Sequence, residues 1–439
     1  MEWYIVLTLV VAGLLLLFLT GLPIGFGFMV FNIVGAYFVL GGQGGLLQFI
    51  RGMVSTIDSF TLLSLPLFVI MGSLICEAGL AAKCLDIAEL WIGRLPGRLS
   101  LVTIATGSIW GAMSGSTMAA TSVLGATLLP EMLRRGYKKP MSIGPIMGSA
   151  SLDMIIPPSG VGIILASVAN ISIAALFVAG YLPGILMAGL YGVYIIIRCL
   201  IQPDLAPTYS IPKTSFIRKI EVTVRGAVPI AFVVFAVMGL MILGIATPTE
   251  SAAMGSIATL ILAVIYKKAT WQMVMRSLRD AALVTSTMLI ILVGAQTFGQ
   301  IVSFTGVLRG LTEIALQPGV SPMVVIILML VVLIVMGTIM DDVSMIMITV
   351  PIYMPIANAL HVDPLWFGIL MLMALSLATI SPPFGMVQYV MKSISPPDVS
   401  LADIFRETIP YCILDMIAMA VVLAFPVIAL WLPNVLKTL

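Results

Sequence analysis

The sequence predicts an all-α polytopic membrane protein, arranged as an inverted-topology repeat with two re-entrant helical hairpins and two broken helices. Three features lead there. The 439 residues are 61% apolar and only 9% charged, with a mean hydropathy of +1.18, whereas soluble domains carry about a quarter charged residues. The basic residues gather in a few loops. Gly, Ser and Pro signatures also recur in one order at an offset of about 225 residues.

A bilayer core asks for about 20 apolar residues per helix. Clear spans run near 4–20, 24–41, 61–79, 171–201, 227–243, 249–266, 281–303 and 408–432. The first run, Tyr4–Leu19, has no basic n-region and no small-x-small cleavage site before Gly21, so it reads as a retained span rather than a signal peptide. Three stretches, 99–130, 141–169 and 321–391, are too long or too broken for simple spans. They carry Gly, Ser, Thr, Asp and Pro at depths where a plain helix would be apolar.

Charge gives the sides. Basic clusters lie at Lys83/Arg94/Arg98, Arg134/Arg135/Lys138/Lys139, Lys213/Arg218/Lys219/Arg225 and Lys267/Lys268/Arg276/Arg279, and the positive-inside rule sets all four on the cytoplasmic face. Segment 99–130 then starts and ends on one side, as a re-entrant hairpin or two unusually short crossings. Three spans before Lys83 place the N-terminus outside, and the linker 202–226 lies inside. The halves 1–201 and 227–439 therefore enter the membrane from opposite sides.

The repeat supplies the second half of the pattern. Gly107-Ser-Ile109 matches Gly337-Thr-Ile339, and Ile156-Pro157-Pro158-Ser159-Gly160 matches Ser381-Pro382-Pro383-Phe384-Gly385. Copies that enter from opposite sides form an inverted-topology repeat. The broken helix at about 141–169 is answered by one at about 364–391, and the first hairpin by a second at about 321–362, opening to the outside.

Several functions are excluded by composition. A net charge of +2 gives no reason to expect a nucleic-acid partner. The cysteines Cys76, Cys84, Cys199 and Cys412 lack metal-type spacing and His361 is the single histidine. A His/Cys metal site or a Ser-His-Asp triad is not expected, and the thiols read as small buried hydrophobes. The adjacent acids Asp341 and Asp342 are the one candidate pair for an intramembrane hydrolase, but consecutive helical residues point apart.

Non-helical backbone at membrane depth persists only where protein buries it or a wet cavity runs past it. The first hairpin tip, Gly111–Thr117, would face the break at Ile155–Gly160. The second tip, Gly337–Ser344, would face Thr379–Gly385. Prolines remove backbone donors and leave preceding carbonyls without intrahelical partners. Freed carbonyls, hydroxyls and a carboxylate suit a hard cation such as Na⁺, while inward half-helix N-termini suit an anionic group. Ser114, Ser116 and Thr117 serve either as oxygen ligands or as small residues that permit tight packing. Asp341, which aligns with Ser116, is the stronger cage member, being an acid within apolar sequence. Asp153 is open to a cage role or an ion pair. Glu250 reads first as a helix cap, and Arg309 as a span anchor or a contact for a partner or substrate. The 30 methionines read as ordinary apolar filling.

The run Gly-Ile-Ala-Thr-Pro-Thr-Glu-Ser-Ala-Ala (244–253), the Ser-Gly-Ser tip (114–116), the two Pro-Pro breaks and the overall length resemble the large membrane subunit of tripartite ATP-independent periplasmic (TRAP) transporters. That resemblance implies a bacterial inner-membrane symporter driven by the Na⁺ gradient, with an ion-transporter-type elevator fold and no further cofactor. It implies two partners, a small four-helix membrane subunit on a separate chain and a soluble periplasmic substrate-binding protein. Substrates of the family are mostly carboxylates: C4-dicarboxylates, sialic acid and other sugar acids. By the same resemblance, one Na⁺ site uses Ser114, Ser116 and the backbone of Ile156 to Ser159, and a second uses Gly337, Met340, Asp341, Thr379, Ser381 and Pro382. Substrate would lie between them, near Gly115, Thr117, Pro157, Pro158, Thr338, Pro383 and Gly385. Asp342 is an extra acid in that pattern. A self-sufficient ion-coupled anion transporter, or the large subunit of the tripartite tricarboxylate system, is the alternative of related fold; an intramembrane enzyme is a remote one.

Overall fold

The computed structural model describes every residue except 1, 23, 59, 80–86, 94, 115–116, 208–214, 339, 383–384 and 438–439. The described secondary structure is helical throughout. Helices α1 (Trp3–Leu19), α2 (Ile24–Val39), α3 (Gln43–Ile57) and α4 (Ser64–Glu77) open the chain. Next come α5 (Arg98–Ser114) and α6 (Thr117–Arg134), then α7 (Lys139–Leu152), α8 (Gly160–Ala169) and the long α9 (Ile173–Ile201). The second half holds α10 (Phe216–Ile242), α11 (Pro248–Ile265), α12 (Trp271–Phe304), α13 (Val307–Ala315), α14 (Pro322–Met336) and α15 (Asp342–Ala359). It ends with α16 (Pro364–Ile380), α17 (Met386–Ile394), α18 (Leu401–Ala424) and α19 (Val427–Lys437).

Length separates spans from half-spans. Among the described residues, five helices are long and apolar enough to cross a bilayer: α9, α11, α12, α15 and α18. By contrast α7 has 14 residues and α8 has 10, so at about 1.5 Å per residue neither covers a core of about 30 Å. Helices α16 and α17, with 17 and 9 residues, divide their segment in the same way. Both segments therefore carry their interruption within the protein. Expected span 281–303 lies inside the longer α12, and 408–432 is divided at Phe425 between α18 and α19.

The sequence reading left 43–57 unassigned, and it is helix α3. This helix buries Gly45, Phe49 and Gly52 on one face and exposes Leu47, Ile50, Val54 and Ile57 on the other. Its short amphipathic pattern gave no 20-residue apolar run to detect. Exposed apolar side chains are common elsewhere too, among them Phe38, Ile217, Phe232 and Phe304, as expected of a surface that lipid solvates.

The elements exchange partners across the halves. Helix α15 packs on α8 and α6 packs on α17; α18 lies against α7 and α9 against α16. Helices α4, α11, α12 and α2 pack into a second group, which meets the first where α4 touches α5 and α12 touches α15. At the crossing of the broken segments the Ser376 hydroxyl donates to the Ser151 carbonyl at 2.6 Å, two residues separated by 225 positions.

Candidate functional site

The first break runs from Asp153 to Ser159. Pro157 and Pro158 have no N–H, so the carbonyls four residues earlier, Asp153 and Met154, lose their helical donors. Ser159 restarts the helix as the N-cap of α8, its hydroxyl accepting from the Gly162 N–H at 3.1 Å. Asp153, Pro157, Pro158 and Ser159 are buried, and Ile156 is partly so.

The first tip reaches this break. Thr117, the first residue of α6, donates from Oγ1 to Asp153 Oδ2 at 3.1 Å, with both side chains buried. Asp153 Oδ1 has no partner among the described residues, and an unmatched buried carboxylate oxygen is costly. Gly115 and Ser116 lie outside the described residues, as does the side chain of Ser114 at the end of α5.

The second tip is built around Asp341. Its carboxylate caps α15, accepting from the Val343 and Ser344 N–H groups at 3.2 and 3.3 Å, and the Ser344 hydroxyl donates to its other oxygen. This capping role was not assigned from sequence. It preorganises the carboxylate at a helix N-terminus, where the dipole favours negative charge. Asp342 follows in the first turn of α15 and lies near enough to Asp153 for their charges to repel. Thr338 donates to the Val335 carbonyl at 2.7 Å, and the Met340 N–H reaches the Met336 carbonyl at 3.0 Å.

Two glycines bring the second tip and break together. A Cβ on Gly337 would stand 2.2 Å from that of Ala378, so only glycine lets the tip close on α16. A Cβ on Gly385 would lie 2.5 Å from the Thr379 carbonyl oxygen and 3.1 Å from that of Ser381. The chain thus returns past its own freed carbonyls. Pro382 and Pro383 deprive Ala378 and Thr379 of helical donors. The Ser381 N–H turns back to the Ala378 carbonyl at 3.2 Å, and the Thr379 hydroxyl donates to Leu375 at 2.8 Å. Pro383 and Phe384 lie outside the described residues.

Other acids and bases fall elsewhere. Glu250 and Thr247 form a reciprocal capping box on α11, which packs mainly on α4 and α10. Arg309 pairs with Glu313 at 2.8 Å on an exposed surface. Two buried polar residues were missed in sequence. Gln388 donates to the Ile380 carbonyl at 2.7 Å, inside the second break. Asp415 accepts from the Tyr191 hydroxyl. Asp415 could have been found by the rule that singled out Asp341, since it lies within an apolar run.

A polar cavity of about 390 Å³ lies where α3, α8, α12 and α15 meet, with Ser55, Thr56, Ser167, Asn170 and Gln296 in its wall. The described residues hold no group of three or more His, Cys, Asp or Glu placed to bind a metal. Any cation at the tips would rely on carbonyls and hydroxyls with one or two carboxylates.

Known proteins resemble this chain along most of its length. The uncharacterized protein YgiK of Salmonella typhimurium is 31% identical, with 94% of each chain covered. The sialic acid TRAP transporter large permease protein SiaM of Vibrio cholerae is 28% identical over 96% of this chain and 97% of its own. Among solved structures, the Neisseria gonorrhoeae protein MtrF, described with a class of antimetabolite efflux pumps, superposes with a TM-score of 0.64. It covers 97% of this chain and 94% of its own at 13% identity, a likeness of fold alone. Residues 11–428 match the family described as tripartite ATP-independent periplasmic transporter, DctM component. The chain belongs to that family, as a multi-pass inner-membrane permease subunit and not an enzyme.

Proposed function

We propose that this chain is the large transport subunit of a Na⁺-coupled importer of a small organic anion, a C4-dicarboxylate, sialic acid or another sugar acid. The observation that carries the reading is the pairing of each proline-freed set of carbonyls with a hairpin tip. Thr117 bonds to Asp153 at the first, and Gly337 closes on Ala378 at the second. Asp153, Asp341 and Asp342 bring negative charge without an ion-paired base among the described residues. Cations relieve that charge, and the N-termini of α8 and α17 favour a carboxylate beside them. Both helices are long enough to carry that dipole.

The two-half organisation has its own support. Helices α5 to α8 recur as α14 to α17 with starts spaced by about 225 residues. Movement by an elevator, with the hairpins and breaks travelling against α1–α4 and α11–α13, is favoured by the surface between the two groups. There an apolar cavity of about 670 Å³ is bounded by Leu7, Val11 and Leu14 of α1 and by Val332, Met336 and Ile352 of the second hairpin. Side chains with no directional bonds offer little resistance to sliding. The partners in this reading are a separate four-helix membrane subunit and a periplasmic binding protein that delivers substrate.

The test is uptake by the reconstituted three-part system. Uptake should require a Na⁺ gradient and be lost in Asp341→Ala and Ser116→Ala. Uptake without Na⁺, or unchanged in both variants, would overturn the site assignment.

A further inference from the structure

Asp415 stands in mid-helix α18, 2% exposed, with the Tyr191 hydroxyl donating to Oδ1 and, among the described residues, no partner for Oδ2. The Ser151 hydroxyl stands 2.6 Å from that of Tyr191 and also reaches the Gly148 carbonyl at 2.8 Å. The Ser151 carbonyl in turn receives the Ser376 hydroxyl. One polar chain therefore runs from Asp415 through Tyr191 and Ser151 to Ser376. It meets the two broken segments just before their interruptions. Tyr191 and Asp415 are 224 positions apart, and Ser151 and Ser376 are 225 apart. Pairs at the repeat spacing that touch one another are what an internal two-fold axis places at its centre.

Among the described residues no base answers this acid. Helix α7 brings only Lys139, which pairs with Asp403 at 2.9 Å at the far end of the helix. Helix α16 carries no titratable side chain. On α9, Tyr191 faces the carboxyl, while Tyr194, Arg198 and Cys199 group with Tyr411 and Glu407 further along. Helix α17 offers Tyr389, which is exposed, and Lys392, which donates to the Val399 carbonyl. Helix α19 has only Lys437, its last residue. On α18 itself, Cys412 is the facing group.

An ionised Asp415 would be a buried charge met only by the Tyr191 and Ser151 hydroxyls, with an orphan oxygen and no cation among the described residues. A hard metal ion would want about six oxygen ligands, and among the described residues only the Tyr191 and Ser151 hydroxyls are at hand. A proton meets the need with no further ligand. We propose that Asp415 is a proton-binding site, neutral in this conformation, and that Tyr191 and Ser151 transmit its charge state to both breaks. The site is separate from the proposed Na⁺ cages and involves none of their ligands.

The experiment is infrared spectroscopy of the full-length chain in lipid nanodiscs, titrated upward from neutral pH. A protonated carboxyl C=O band should be present at neutral pH and absent from Asp415→Asn. In Tyr191→Phe the ionised form loses the Tyr191 donor, so the titration of that band should move to higher pH. Equal carboxyl absorption in wild type and Asp415→Asn would overturn the proposal. Should Asp415→Asn fail to assemble, Tyr191→Phe decides the matter, since an unmoved titration would also overturn it. Neither reading depends on Na⁺-driven uptake, so failure here and failure of the transport assignment are distinguishable.

Discussion

Gly337→Ala tests the contact between second tip and second break most directly. The added Cβ would lie 2.2 Å from the Ala378 Cβ, 3.2 Å from its Cα and 3.2 Å from Met345 Cε. Carbon atoms pack at about 3.5–4.0 Å, so the tip must withdraw by about 1.5 Å. Overpacking of this kind costs about 1–3 kcal/mol. If that strain falls on the closed tip, the population competent to bind cation drops by about 5- to 150-fold. The assay is the initial rate of Na⁺-dependent uptake by the reconstituted system, with thermal unfolding measured in parallel. Adding Ala378→Gly removes the 2.2 Å clash and leaves only the 3.2 Å contacts. Uptake should then recover in part, offset by about 1 kcal/mol for glycine inside α16. Wild-type uptake in Gly337→Ala would refute the reasoning, as would a folded double variant no better than the single one.

Three further outcomes follow from the same geometry. Asp341→Asn should keep the α15 cap and its stability but lose Na⁺ dependence, whereas Asp341→Ala should also lose about 0.5–2 kcal/mol; unfolding curves with and without Na⁺ separate the two. Thr117→Val removes the donor to Asp153 and should cost about 1–3 kcal/mol in thermal unfolding, with no loss if the tip and break do not meet. At the predicted cytoplasmic mouth, hydrogen bonds from Arg134 and then Arg135 draw the Glu131 carboxyl from 4.5 down to about 2. A group with a depressed folded pKa stabilises above its ordinary value and loses that contribution as pH falls through the window. Glu131→Gln should therefore flatten the acid limb of stability between about 4.5 and 2, measured by unfolding against pH.

Much of the fold was legible because bilayer physics narrows the choices. Hydropathy marked the long helices, and the Pro-Pro pairs marked where α7 and α16 had to end. Glu250 was readable as a cap because a capping box is local, with both members in four residues. The capping role of Asp341 was equally local, but its place in apolar sequence drew attention to charge instead. Helix α3 was missed because 15 amphipathic residues imitate a loop between spans. The partnership of Tyr191 with Asp415, and that of Ser376 with Ser151, lie in no local pattern. Each depends on how two halves cross, and a residue's own neighbourhood in sequence carries none of that.

The proposed repeat would be one of backbone more than of chemistry. In the first half the carboxylate, Asp153, sits on the break and the tip supplies a hydroxyl from Thr117. In the second half the carboxylate, Asp341, sits on the tip, and the break supplies carbonyls and the amide of Gln388. Each pairing thus carries its own acid, taken from opposite partners. Asp342 adds a further charge in the first turn of α15 that would repel that of Asp153. With no cation between them, that repulsion opposes close approach of the second tip and the first break; with cations bound, it becomes attraction through the ions. On the proposed reading, filling either cage lowers the cost of filling the other. Na⁺ would then be the agent that draws both tips onto both breaks, and a substrate carboxylate would find its surroundings complete only afterwards.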